Sequence, residues 1–176
     1  MLMGVIRRRE VLKGTGLLLG TLILPSSRVW GAEEYELPEG TREALGESPL
    51  VYISPLHADG RESRCHGEVW FLFDQGDVLI STARTTWKAR ALASGRERGR
   101  IWVGDFGRGR SVQDRFREGP TFQAHAREEP DRAALDRMVA AFGKKYPDEW
   151  GKWESRFKKG FEDRSRVLIR YEPTAP

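Results

Sequence analysis

Residues 50–54 alternate between apolar and polar positions as a strand does, and Ala58, Asp59 and Gly60 follow as a turn signal. Residues 66–73 predict a second strand, with Val69, Phe71 and Phe73 on one face and Trp70 and Leu72 on the other. Apolar residues on both faces place that strand inside a sheet. Asp74, Gln75, Gly76 and Asp77 read as a hairpin turn that returns the chain antiparallel through Val78, Leu79 and Ile80. Three further strands are predicted at 100–105, 121–126 and 166–171, where Ile101 and Val103 oppose Trp102, Phe122, Ala124 and Ala126 oppose Gln123 and His125, and Val167, Ile169 and Tyr171 share a face.

Helical spacing appears in three places. Residues 131–142 put Leu135, Met138, Val139 and Phe142 on one stripe, with Gly143 as the stop. Residues 147–159 begin with Pro147, carry Asp148 and Glu149 in the first turn and Lys158 and Lys159 in the last, and stop at Gly160. Their stripe of Trp150, Trp153 and Phe157 reads as core. A shorter helix follows the Val78 strand and ends at Gly95. Between the strands at 100–105 and 121–126 lies a loop rich in glycine and arginine, 105–119, which either clamps an anion or is a solvated charge run. Residues 33–49 are polar, with no sustained period, and read as a linker. Antiparallel hairpins with interspersed helices imply a barrel or an α+β sheet.

The amino terminus reads as an address rather than as fold. It has a basic start, an apolar run from Leu17 to Leu24 that is too short to span a bilayer, and small residues at Gly31 and Ala32. Arg8, Arg9, Val11, Leu12 and Lys13 resemble the twin-arginine export consensus, the alternative being an ordinary secretory signal. The expected organisation is an export signal at 1–31, a linker at 32–48 and one domain at 49–174, in a periplasmic or extracellular protein handled by the twin-arginine translocase. This segment also accounts for the net charge of +4, because Arg7, Arg8, Arg9, Lys13 and Arg28 face only Glu10 there. The remainder is close to neutral, which argues against a general nucleic-acid binder. A single cysteine, Cys65, excludes an intramolecular disulfide framework.

The candidate chemistry concentrates at 77–95, where a strand ends in hydroxyls and turns into a helix with a basic start. Ser81, Thr82, Thr85 and Thr86 mark the turn, and with Thr85 as N-cap Lys88 falls in the first turn, flanked by Arg84 and Arg90. Cations at the positive end of a helix are unfavourable unless an anion sits there, so the segment reads either as a phosphate site or as surface cations in water. His57, His66 and His125 lack metal-ligand spacing, and Cys65 and His66, adjacent in a strand, point to opposite faces, so no metal site is expected.

These residues resemble the flavin-binding split barrel family, the pyridoxamine phosphate oxidase-like proteins and their deazaflavin-using relatives. The resemblance covers 49–171 and is most specific at Ser81, Thr82, Lys88 and Leu92, followed by the strand at 100–105. It implies an antiparallel split β-barrel with flanking helices, mainly β with α. It also implies an FMN phosphate held by the hydroxyls and Lys88, with Arg84 and Arg90 as further contacts. The flavin would lie between barrel strands of two subunits of a homodimer and transfer hydride to or from a small organic substrate. Arg90 and Ala91 replace a polar residue common in the family, which leaves FMN or deazaflavin open. Haem is a further alternative, because some split barrels bind it, and a non-catalytic flavin- or haem-binding module is the rival to an enzyme.

Overall fold

The computed structural model describes residues 35–176, so the export signal, its cleavage point and the first residues of the expected linker lie outside the described residues. Seven strands make one antiparallel sheet: β1 (Val51–Pro55), β2 (Gly67–Val69), β3 (Phe71–Asp74), β4 (Asp77–Ala83), β5 (Arg98–Val103), β6 (Thr121–Glu128) and β7 (Arg166–Thr174). Their order is β2-β1-β5-β6-β7-β4-β3, so the two ends of the sheet are strands that follow one another in the chain with only Trp70 between them. A sheet whose ends are one residue apart must curl on itself, and the result is a nearly closed barrel. The strand expected at 66–73 is therefore two strands, one serving each edge.

The ladders show where closure fails. β2 pairs with β1 up to Val69 opposite Val51, and β3 pairs with β4 from Phe71 opposite Ile80. Beyond Ile80, Ser81, Thr82 and Ala83 continue to pair with β7 but have no partner on the β3 side among the described residues. The barrel is split there. Tyr146 bridges the seam: its ring stacks on Trp70 at 4.3 Å, its hydroxyl accepts the Phe71 N–H at 3.2 Å, and it donates to the Pro49 carbonyl at 2.9 Å.

Strand alternation sorts the core into layers. Val51, Ile53, Phe71, Val78, Ile80, Ile101, Val103, Phe122 and Ile169 fill the barrel. Leu79 and Leu168 face outward and meet Leu135, Met138 and Phe142 of α3 (Arg132–Lys145), Trp150 of α4 (Pro147–Trp150) and Phe157 of α5 (Glu154–Glu162). The loop at 105–119 is anchored by Phe116, fully buried in a stacked contact with Tyr52 at 5.2 Å.

Three expectations change. The supposed linker carries α1 (Thr41–Glu47), whose Leu45 is 1% exposed; a seven-residue helix is too short for its period to stand out from the polar residues around it. Gly143 and Gly160 do not stop their helices but lie inside α3 and α5. Both mark close approach instead, since a Cβ at Gly143 would touch Trp150 at 3.4 Å and one at Gly160 would fall 2.5 Å from the Arg166 stem. The helix expected over 147–159 is broken into α4 and α5, with Gly151, Lys152 and Trp153 as the joint.

One buried polar cluster ties the hairpin to the helices. The Arg170 side chain is 5% exposed and bonds Glu129 at 2.7 Å, Asp74 at 3.1 Å and Asp77 at 3.1 Å. Asp74 also accepts from Arg137 at 2.8 Å, and that bond is the main reason its carboxyl lies below the usual range. Asp74→Ala strips a carboxylate from two guanidiniums and should cost about 3 kcal/mol in urea denaturation. Tyr146→Phe leaves the buried Phe71 N–H unsatisfied, with an expected loss of about 1–3 kcal/mol by the same measurement.

Candidate functional site

The strand-to-helix segment folds as β4 followed by α2 (Trp87–Ala93). Its N-cap is Thr86, not Thr85, because the Thr86 hydroxyl is the one that reaches the Ala89 N–H. Lys88 is thereby the second helical residue, and no acidic residue occupies the first turn. Thr86 donates to the Ala83 carbonyl at 2.9 Å, so the hydrogen between Thr82 and Thr86, also 2.9 Å, comes from Thr82. Both hydroxyl protons are spent inside the cap.

The five residues expected to converge on a phosphate lie in five different surroundings. Ser81 and Thr82 are neighbours in a strand and project to opposite faces, Thr82 toward α2 and Ser81 outward to Arg166, whose Nε donates to the Ser81 hydroxyl at 3.1 Å. Arg84 forms a bidentate pair with Glu128 and donates to the Arg164 carbonyl at 3.1 Å. Arg90 is exposed in the last turn of α2, where a cation suits the helix dipole.

Lys88 stands apart. It is 9% exposed, and among the described residues its ammonium has no hydrogen bond and no ion pair. Its Nζ lies 4.3 Å from the centre of the Trp87 ring and approaches Gly67 of β2. Desolvation lowers its pKa from the ordinary 10.5 to about 8, against an opposing field from Glu68 and Cys65. Glu68 does not pair with it directly and instead accepts the Gly109 N–H at 3.2 Å. Of the expected contacts, Lys88 is the one that is a buried cation without a hydrogen bond or ion pair among the described residues, since Arg84 is paired and Arg90 is exposed.

Sequence reading missed a second feature. A cleft of about 360 Å³ opens at the seam of the barrel, walled by Val69, Trp70, Ser81, Trp153, Phe157 and Arg166. Trp153 and Phe157 had read as core, which holds for Phe157 at 5% exposure, yet both also face this cleft. Nothing local marks Arg166 as its cation; only the return of β7 beside β4 brings it to Ser81.

The fold is that of known split barrels. No protein-family model matches the chain, and no curated protein matches its sequence. Among solved structures it is similar to the haem storage protein HutZ from Vibrio cholerae, with a TM-score of 0.53 and 16% identity over 81% of this chain and 93% of that one. It is also similar to a protein provisionally assigned as a pyridoxamine 5'-phosphate oxidase from Listeria innocua, at TM-score 0.50 and 13% identity over 77% of this chain and 91% of that one. ChuZ from Campylobacter jejuni matches at TM-score 0.52 and 13% identity, over 76% of this chain but 51% of that one. The antiparallel split barrel with flanking helices, expected from the resemblance, is the fold observed.

A buried, unpaired ammonium is a cost the free protein carries. Its pKa displacement corresponds to up to about 3 kcal/mol at neutral pH, so Lys88→Met should raise the stability of the chain by that order. The sign follows from proton binding: between about 8 and 10.5 the unfolded lysine holds a proton that the folded one has lost, so stability rises with pH across that window. Lys145, brought to about 8 by burial, contributes in the same direction. Denaturation midpoints should therefore rise with pH across this range in the wild type and keep only the Lys145 share of that rise in Lys88→Met.

Proposed function

We propose that this protein binds a flavin nucleotide, FMN, through its phosphate at Lys88 and acts as an oxidoreductase on a small organic substrate, as an exported homodimer. The observation that carries the reading is the desolvated Lys88 ammonium with no counter-charge bonded to it. Folding keeps a group in that condition where a ligand repays the cost, and a phosphate oxygen does so through a charge-assisted hydrogen bond. The ordinary form of α2, with a cation where an acid would be favoured, agrees with an anion at its mouth. Arg84 and Arg90 take no part in this reading, one being paired with Glu128 and the other exposed where the last turn of α2 begins. Thr82 and Thr86 hold the cap that aims Lys88, and Ser81 belongs to the outer cleft.

Bound flavin would supply hydride transfer, while the chain would bind its anionic tail, orient it and keep water from it. Deazaflavin would use the same phosphate contact. A second reading is a non-catalytic haem- or flavin-binding module, favoured by the likeness to the haem storage protein HutZ.

The readings separate by colour and then by turnover. The purified full chain, reconstituted with FMN, deazaflavin or haemin, should take up FMN with a bound-flavin visible spectrum, and the bound flavin should be reduced and reoxidised with turnover of a small organic substrate. Lys88→Met should weaken FMN binding by about tenfold or more, the value of one charge-assisted hydrogen bond. Wild-type affinity in that variant removes Lys88 from the site, and a preference for haemin transfers the assignment to the second reading.

A further inference from the structure

The seam cleft holds a second uncompensated cation, and its surroundings define a ligand. Arg166 is half-buried, yet among the described residues it has no carboxylate partner. It is bonded only to Ser81, through Nε to the hydroxyl at 3.1 Å and through Nη2 to the carbonyl at 2.8 Å, which leaves Nη1 without a partner. Burial and, after it, the nearby Arg156 hold its pKa below the ordinary value.

The guanidinium is also held in place. Its centre lies 4.2 Å from the middle of the Phe157 ring. Its stem fits against Gly160, where a Cβ would come within 2.5 Å of both Cγ and Cδ. These atoms are close to the backbone and cannot swing aside cheaply, so glycine at this position is the condition for the present placement of Arg166. The remaining wall is aromatic, with Trp70 and Trp153 edge-on at 6.4 Å.

We propose that this cleft binds a planar aromatic carboxylate, with its ring against Trp70, Trp153 and Phe157 and its carboxylate on Arg166. The volume of about 360 Å³ falls in the range of small-molecule sites. A guanidinium presenting free N–H groups in a fixed plane suits a carboxylate. The rim selects against heavier charge: Glu68, Glu149 and Arg108 all line the cleft, and the last two are paired at 3.3 Å, which leaves Glu68 as the acid there without a cation partner among the described residues. A phosphate dianion would bring more charge than Arg166 answers and would face Glu68, whereas a single carboxylate matches the single unpaired cation. A neutral aromatic would leave Arg166 as it is. This site is independent of the phosphate contact at Lys88.

Isothermal titration of the purified full chain with 2-naphthoate, 2-naphthamide and acetate tests it. Saturable binding of naphthoate is expected, about tenfold or more tighter than either the amide, which lacks the charge, or acetate, which lacks the ring. Arg166→Met should remove that preference, and Gly160→Ala, which displaces the guanidinium without altering its chemistry, should reduce it. Equal binding of acid and amide, an unchanged preference in Arg166→Met, or no saturable binding overturns the inference. The acid and amide comparison uses the unaltered chain and decides the matter even if Arg166→Met does not fold. Bound flavin is read separately from the visible spectrum, so failure of one assignment leaves the other standing.

Discussion

The fold depends on one junction, the step from β2 to β3 through Trp70. Because these consecutive strands occupy opposite ends of the sheet order, the position of Trp70 fixes how far the sheet must curl. The backbone ladder cannot satisfy both sides at such a step, and a side chain takes over: the Tyr146 hydroxyl receives the Phe71 N–H and is passed on to the Pro49 carbonyl. The same junction explains the cleft. Where the β3 to β4 ladder ends at Phe71 and Ile80, the strands diverge, and the space that opens is lined by the residues on either side. Closure and binding space are two consequences of one geometric requirement.

Charge compensation separates architecture from chemistry within a single strand. Arg166 and Arg170 lie four residues apart on β7 and therefore on the same face. Arg170 is surrounded by Glu129, Asp74 and Asp77, and a buried cation so fully answered fixes the hairpin and α3 against the sheet. Arg166 has a hydroxyl, a carbonyl and the face of a phenyl ring, but no acid. Burying both costs solvation, and only one is repaid within the chain. Lys88 repeats the second pattern on another element. Among the described residues Lys145 is a third desolvated cation without an acid, but its ammonium is answered by the carbonyl and ring of Phe71, which leaves Lys88, without a hydrogen bond, and Arg166, at the open cleft, as the two that a purely structural account does not explain.

Much of the sheet was legible because a two-residue period survives in sequence wherever one face is buried. The opposed sets of Val69, Phe71 and Phe73 and of Trp70 and Leu72 do enter different clusters. The hairpin signal was equally local, and Gln75 and Gly76 adopt the positive φ values of 56° and 94° that such a turn requires. Glycine as helix punctuation failed at Gly143 and Gly160, since the same residue serves close packing, and the two uses differ only in what lies opposite. The Arg84 and Glu128 pair joins residues 44 positions apart, so no window on the sequence contains it. The separation of Ser81 from Thr82 was available, because adjacent strand residues face opposite ways wherever the strand continues. It was hidden by ending the strand at Ile80, three residues before β4 ends.

That error shows how the site is built. Extending β4 to Ala83 moves the helix start to Thr86, and the cap then consumes both threonine hydroxyls. Had the hydroxyls been free, a ligand anion could have been held by many weak donors around a flexible turn. With them committed, the turn is rigid, and Lys88 projects from the second position of a helix whose first turn offers it no acid. The ammonium then lies close to Gly67 and over the Trp87 ring. A tightly capped helix start and an unsatisfied lysine are thus coupled, because the cap that holds Lys88 beside Gly67 and the Trp87 ring is also what would present it to a ligand without further ordering cost.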